Sequence, residues 1–284
     1  LDQAEKQSEA NRETKRTSES QSNHFVPITT SIVEAALSEM VDQIERPLIL
    51  PRSDEDNPKS QVMKYIVDYT WEIADGDSQS YNILKDMLIG GTAIGQEYFL
   101  QDQRKIKRVE MKGKKEEEIE ENILDYNDCM MEVVKLQDFF VDEKARGFDG
   151  PYAARDCIRR YLMDIEDFKA FFKGEIWDQF GNVDKVRPGG DVNYYEFFKP
   201  PSGFDHSKDV EVLWYWSKKP EDWLMIVAND VLIKAGPNPY EHKQLPFARA
   251  VDVKRPHAFY GKGEPELLES IQDELNTLRR MVID

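Results

Sequence analysis

The order of apolar and polar residues predicts helices in the first third of the chain. Residues 1–24 are almost all polar or charged, which predicts a mobile or solvated arm because little apolar surface could be buried there. After Pro27 apolar residues recur at helical spacing as far as Pro47, and Ser31 and Glu34 stand at capping-box spacing. The predicted buried face of this helix carries Ile32, Ala36, Met40 and Ile44.

Two more helices are predicted before the first glycine pair. One begins at Asn57 and Pro58 and ends at Gly76, with a predicted buried side of Val62, Ile66, Tyr69 and Ile73. The other begins near Asp77 and breaks at the glycine pair 90–91, and its predicted inward residues are Tyr81, Leu84 and Leu88. Residues 25–100 are therefore interpreted as a helical layer.

Residues 101–128 contain a block of segregated charge. Basic residues come first and acidic residues follow, which predicts an exposed hairpin that runs into an acidic helix. The basic half could contact DNA, but a solvated face is the favoured interpretation because the acidic half cancels much of its field. The block is treated as a charged, exposed insertion.

Residues 129–260 are predicted to be mostly β structure. Apolar runs at 133–141 and after Pro151 indicate strands, and Asp164 is predicted to cap a short helix that carries Phe168, Phe171 and Phe172. Three later strands, at 210–216, 223–228 and 231–235, are predicted to form an antiparallel meander with a tight turn at Asn229 and Asp230. The fold class predicted from the whole pattern is α+β.

Residues 261–284 are predicted to form a final helix that opens at Pro265. Apolar residues recur in steps of three and four and form a narrow seam suited to one other helix, namely Leu268, Ile271, Leu275, Leu278 and Val282. Gln272 and Asn276 share a polar face, which is either simply exposed or hydrogen-bonded across an interface. The seam is a candidate subunit interface.

Composition and motifs argue against catalysis. The chain has 38 Lys and Arg against 55 Asp and Glu, a formal net charge of -17, which disfavours tight DNA binding and otherwise serves solubility. The glycines at 90 and 95 have phosphate-loop spacing, but Gln96 and Glu97 stand where a Lys and a hydroxyl are needed, so a tight turn from helix to strand is favoured. His242 is assigned a loop hydrogen bond. No catalytic residue, metal site or cofactor is predicted.

The bulk numbers also bear on compartment and completeness. The two cysteines, Cys129 and Cys157, lack metal-site spacing and fit a reducing compartment, and no apolar run is long enough to cross a bilayer. The chain begins without Met and stops inside a helical pattern, which we interpret as a partial subunit.

Two segments of the sequence resemble the tailed double-stranded DNA phage portal proteins. The first is a loop at 238–247 and the second joins 260–265 to the helix that follows, where Gln and Asn stand four apart. Earlier segments at 25–44, 86–99 and 134–143 are similar in order as well as in kind. The motif residues are Asn238, Pro239, Tyr240, His242, Leu245, Pro246, Phe247, Tyr260, Gly261, Gly263, Pro265, Gln272 and Asn276.

The resemblance implies a structural subunit of a dodecameric portal ring in the virion, assembled in the bacterial cytoplasm and not membrane-bound. It implies a wing and the approach to a stem, with clip, returning stem helix and crown in later residues. The implied partners are further copies of the chain, the large terminase, head-completion or adaptor proteins, and the major capsid and scaffolding proteins. Double-stranded DNA would pass through without specific binding. Another phage head or adaptor protein is the alternative, and a metal-dependent hydrolase is the less favoured one.

Overall fold

The computed structural model describes residues 25–44, 46–112, 115–173, 180–189, 208–218 and 223–283, and of 101–126 it describes the backbone alone. It combines helices with antiparallel sheets, which confirms the α+β class. The predicted arm at 1–24 lies outside the described residues. The helices are α1 Ile28–Val41, α2 Asn57–Ile73, α3 Gly76–Gly90, α4 Ile165–Lys173 and α5 Glu264–Ile283. The strands are β1 Thr92–Lys112, β2 Lys115–Val134, β3 Phe139–Val141, β4 Asp156–Asp164, β5 Asp209–Ser217, β6 Trp223–Ala228, β7 Val231–Pro237 and β8 Phe247–Val251.

Helix α1 begins earlier and faces differently than predicted. Pro27 is its N-cap and offers no capping side chain of its own, while the Ser31 hydroxyl donates to the Pro27 carbonyl at 3.1 Å from inside the first turn. The predicted capping box is therefore wrong. The buried residues are Thr29, Val33 and Leu37, whereas Ile32 is 38% exposed. Ala36 and Met40 of the predicted face are partly buried and pack against the cluster of Val33, Leu37 and Leu88, so the buried face is centred one position later than predicted.

Helix α2 has the predicted extent, but its predicted buried side is wrong. None of its residues is buried, and Val62, Ile66 and Tyr69 are exposed by 58, 52 and 52%. Its contacts with the rest of the chain include the Trp71 indole, which donates to Asp77 at 2.8 Å, and the Tyr69 hydroxyl, which donates to Asp128 at 3.3 Å. Its apolar face therefore remains open to solvent in the single chain.

The glycines after α3 make a tight turn from helix to strand, as the sequence predicts. Helix α3 buries Met87 and Leu88 and ends at Gly91, whose φ of 74° lies in the left-handed region that favours glycine. Tyr81 and Leu84 pack against the same small core as Leu88. The glycine-rich sequence thus makes a helix-to-strand turn.

The charged block folds as a long hairpin without the predicted acidic helix. Strands β1 and β2 pair antiparallel from Ile94 opposite Val134 to Lys112 opposite Lys115. The acidic run lies in β2, and the register sets Lys107 opposite Glu120. The acidic run is therefore part of a strand that pairs with β1 along its length. Strand β8 pairs with the other edge of β1.

The second sheet confirms the predicted meander. Its order is β3-β4-β5-β6-β7 and all neighbours are antiparallel. Asn229 takes the left-handed conformation, φ 47°, in the turn between β6 and β7. Helix α4 is capped as predicted, since an Asp164 carboxylate oxygen accepts from the Glu166 amide at 2.7 Å.

One hydrophobic core joins the two sheets. Phe139 of β3 lies 5.0 Å, centroid to centroid, from Phe247 of β8, and Trp216 of β5 belongs to the same cluster. Two buried arginines on β4 add polar links. Arg159 donates to Gln96 of β1 and to Glu132 of β2, and Arg160 donates to Asp138 at 2.6 and 2.8 Å. The sheets are therefore joined by apolar packing and by the ion pair between Arg159 and Glu132.

No helix in the part of the chain that the structure describes is both long and apolar enough to span a membrane.

Candidate functional site

The predicted motif residues fall into two places in the fold. The loop at 238–247 connects β7 to β8, and residues 260–276 lie at the start of α5. The loop packs on the meander and on β1, while the start of α5 meets the helical layer. We call this second place the α5 junction and define it by Thr29, Gly91, Gly261, Gly263 and Gln272.

The loop at 238–247 is held by its own polar groups. Asn238 is 3% exposed, its amide donates to the Gln244 carbonyl at 3.0 Å, and its side-chain oxygen accepts from the Tyr240 amide at 2.9 Å. The Gln244 amide donates to His242 Nδ1 at 3.0 Å, which confirms the predicted loop role of that histidine. These bonds close the loop on itself.

The outer residues of this loop attach it to both sheets. The Tyr240 ring stacks between Trp216, 5.8 Å away, and His242, 5.2 Å away. The Pro246 carbonyl accepts from the Glu97 amide at 3.1 Å, and Leu245 packs against the core. Pro239 stays exposed. The loop therefore works as a structural connector between the sheets.

Glycines make the close contacts of the α5 junction. A Cβ at Gly91 would overlap the Lys262 carbonyl carbon and the Gly263 nitrogen, and a Cβ at Gly261 would overlap the Gly91 oxygen. The Gly261 amide donates to the Thr92 hydroxyl at 2.8 Å, in a buried position. Only residues without side chains allow these two backbone segments to approach so closely. The turn after α3 thus positions the first turn of α5, where Pro265 is buried.

Gln272 and Asn276 are buried, at 2 and 3% exposure, and not on an exposed polar face. The Gln272 side-chain oxygen accepts from the Thr29 amide and hydroxyl, both at 3.2 Å, and its amide donates to the Val26 carbonyl. The Asn276 oxygen accepts from the Val26 amide at 3.0 Å. The hydrogen bonds lie within one chain. Because the first amides of a helix lack intrahelical partners, α5 supplies the cap that α1 lacks.

Changing Gln272 to Glu should destabilise the chain. A carboxylate can accept from Thr29 but cannot donate to the Val26 carbonyl, and it would be a buried charge facing other oxygens. We expect the free energy of unfolding to fall by about 2 kcal/mol or more, measured by urea denaturation.

The matched control is Gln61→Glu, the same substitution at an exposed position of α2. Exposed substitutions of this kind change the free energy of unfolding by less than about 0.5 kcal/mol. Equal stability of the two variants would show that Gln272 does not cap α1.

The predicted seam on α5 is divided by the burial of Gln272 and Asn276. Leu268 and Leu275 are half-buried, whereas Ile271 and Leu278 are exposed by 57 and 53%. Val282 is 77% exposed, so the apolar strip continues to the end of the described helix. The strip is available to a partner. Tyr260, before the helix, is 40% exposed.

Two ionisable groups have raised pKa values, Asp252 beside the α5 junction and Cys157 in the main hydrophobic core. Burial and the nearby Glu264 carboxylate raise the pKa of Asp252, whose amide donates to the Gly91 carbonyl at 3.3 Å. Burial also raises the pKa of the Cys157 thiol far above its ordinary value, which keeps it unreactive. Within the described ranges no cluster of His, Cys, Asp or Glu could hold a metal ion.

Two features were missed at the level of sequence. The paired arginines 159 and 160 interrupt an otherwise apolar strand, and a buried basic pair is the signal that could have marked them. A basic cleft forms where residues 254–257 meet Arg146 and Arg249. The sequence run Lys254, Arg255, Pro256, His257, which closely follows Arg249, indicates a basic segment, but Arg146 comes from a turn far from it in the chain.

A search of curated proteins finds no match. The sequence model of the phage P22-like portal protein family matches residues 3–255, which include the helical layer, both sheets and the loop at 238–247 but not Tyr260 or α5. Since the match covers most of the 284 residues, the chain belongs to the phage P22-like portal protein family.

Proposed function

We propose that the chain is a subunit of a dodecameric portal ring through which the phage genome is packaged and ejected. The ring docks the large terminase and the head-completion or adaptor proteins, and it meets the major capsid and scaffolding proteins. It is assembled in the host cytoplasm and resides in the virion. Family membership carries the proposal, because this family consists of structural ring proteins of the capsid vertex.

The apolar strip of α5 supports ring contacts. A closed ring joins one patch of a subunit to a different patch of its neighbour. Ile271, Leu278 and Val282 form an exposed apolar strip on one helix, whose opposite side is fixed by Gln272 and Asn276. A strip of this width fits a single partner helix. The candidate interface residues are Leu268, Ile271, Leu275 and Leu278.

Helix α2 supplies a second patch of the kind that a ring requires. Its open face carries large side chains that are more than half exposed, namely Val62, Met63, Tyr65, Ile66 and Tyr69. Large exposed apolar patches mark protein interaction sites. We assign α2 as the complementary surface in the ring, because it is a separate patch and packs so little on its own chain.

The net charge suits passage of DNA. At -17 per subunit, a ring repeats the acidic surface many times and repels the phosphate backbone at short range. At physiological ionic strength, salt limits the range of that repulsion to about 8 Å. Weak binding allows DNA to slide, whereas a basic lining would hold it.

Charging the α5 strip should block ring assembly. Leu278→Glu places a carboxylate at a position that is 53% exposed, so the single subunit should keep its fold. In a ring this carboxylate would be buried in an apolar contact, which costs several kcal/mol per subunit. We expect the complete protein with this change to sediment as monomers, measured by analytical ultracentrifugation and electron microscopy.

Ser270→Glu is the control, because Ser270 is exposed on the same helix and the charge added is the same. This variant should form rings with a central hole, as the unchanged protein does. Complete rings of the Leu278→Glu variant would remove α5 from the interface. Failure of the unchanged full-length protein to form rings would overturn the proposed function itself.

A further inference from the structure

A cleft of about 360 Å³ lies beside the loop that leads from β8 to α5. Basic side chains come to it from three separate segments of the chain, and aromatic residues 259 and 260 complete its wall. None of its lining residues is Asp or Glu, although the chain as a whole carries -17. The basic and imidazole residues of the lining are Arg146, Arg249, Lys254, Arg255 and His257.

In the part of the chain that the structure describes, only one of these cations is neutralised by an acid. Arg255 binds both carboxylate oxygens of Glu266. Arg249 instead donates to the Phe259 carbonyl and lies over the Phe259 ring at 4.8 Å. Among the described residues, neither Arg249, Lys254 nor Arg146 has a carboxylate partner. Three positive charges therefore face one cleft whose lining supplies no counter-charge.

The environment of Arg249 disfavours the charged form of its side chain. Burial lowers the pKa of its guanidinium, and no acid in the cleft lining offsets that effect. A partly buried cation is stabilised when an anion binds beside it. An anion in the cleft would supply the missing charge.

His257 adds a further donor. Its Nδ1 lies 3.1 Å from the Arg146 guanidinium, which can only donate, so Nδ1 is the acceptor. Nε2 of the ring then carries a proton that it can donate to a ligand. His257 has a φ of 62°, an unfavourable conformation for a residue with a side chain. Arg146 is itself held over the Tyr152 ring at 4.0 Å.

We propose that this cleft binds a phosphate group, either inorganic phosphate or a phosphate ester. A carboxylate has two coplanar oxygens, which a single guanidinium can satisfy. Donors that come from the turn at Arg146, from β8 and from the loop at Lys254 suit an anion whose oxygens point in several directions. The cleft exceeds the size of a single phosphate, so the ester can carry an organic group. This inference does not depend on ring formation.

The first experiment titrates inorganic phosphate into the complete protein at moderate ionic strength and follows the heat by calorimetry. We expect saturable binding of one phosphate per subunit. Lys254→Glu reverses an exposed charge at the cleft, and we expect it to weaken binding at least tenfold. Arg249→Lys keeps the charge but loses the planar fork, and we expect a smaller loss with an unchanged circular dichroism spectrum.

The control is Arg52→Glu, which makes the same change of charge at an exposed arginine outside the cleft lining. Its affinity for phosphate should equal that of the unchanged protein. Equal weakening in Arg52→Glu and Lys254→Glu would mean that only net charge matters, and this result would overturn the site.

Two further ligands distinguish the source of the phosphate. Tighter binding of thymidine 5′-monophosphate than of inorganic phosphate would assign a monoester, and tighter binding of a short oligothymidylate would assign the diester backbone of a nucleic acid. Equal binding of all three would assign the phosphate group alone. No saturable heat with any of them, or binding of an acidic peptide in their place, would overturn the proposal.

Discussion

Replacing Gly91 with Ala is expected to lower the free energy of unfolding by about 2 to 5 kcal/mol, because two penalties combine. The residue has a φ of 74°, which strains any residue with a Cβ. The new Cβ would also overlap backbone atoms of Lys262 and Gly263, which cannot move aside as a flexible side chain could. Urea denaturation followed by circular dichroism measures the loss.

Two glycines allow these penalties to be separated. Gly150 has a φ of 84°, but a Cβ added there would have nothing within 4 Å, so Gly150→Ala should show the conformational penalty alone, about 1 to 2 kcal/mol. Gly236 has open space and no positive φ, so Gly236→Ala should change stability little. A Gly91→Ala variant no less stable than Gly150→Ala would contradict the close packing at the α5 junction.

Replacing Arg160 with Ala is expected to lower the free energy of unfolding by about 3 to 5 kcal/mol, the usual cost of removing one partner from a buried ion pair. Arg160 is 6% exposed and donates to Asp138 at 2.6 and 2.8 Å, with Glu211 3.6 Å away. Its loss leaves two carboxylates close together without a cation. Thermal and urea denaturation measure the change.

Arg155→Ala is the control, since Arg155 is exposed immediately before β4 and should contribute little. The double variant Arg160→Met with Asp138→Leu removes the charge and one of its acids together. Replacement of a whole buried pair by apolar residues is often tolerated, so this variant should be more stable than Arg160→Ala. The reverse order would show that the cost arises from packing and not from unpaired charge.

Helical spacing predicted where helices lie better than which of their faces is buried. The pattern predicted the extent of α2, yet Val62, Ile66 and Tyr69 are exposed. An apolar helix face indicates burial against a partner. A single sequence does not show whether that partner is another part of the same chain or a different chain. In α1 the buried face is set by contact with Leu88, a residue far along the chain, and not by the helix itself.

Local propensity misled the interpretation of the acidic run. Consecutive glutamates favour a helix when considered alone. In the fold they lie in β2, which pairs antiparallel with β1 from Ile94 opposite Val134 to Lys112 opposite Lys115. Register between strands is a non-local property, so composition predicted the hairpin but not its length.

The sequence resemblance identified the motif residues but not the contacts that they make. Gln272 and Asn276 were recognised by their spacing, while their partners at Val26 and Thr29 are set by the fold. The basic cleft has the same origin in part, because Arg146 is brought to Arg249 and Lys254 only by the packing of its turn. Sites assembled from distant segments leave little local signal in one sequence.

The cap that α5 gives to α1 has a consequence for the order of folding. The bond from Thr29 to Gln272 joins residues 243 positions apart, and that from Val26 to Asn276 joins residues 250 apart. During synthesis from the ribosome, α1 emerges early and its first turn has no cap until α5 follows. Contacts of such long separation form late because they close long loops. The helical layer should therefore gain its last protection from hydrogen exchange only when the final helix docks.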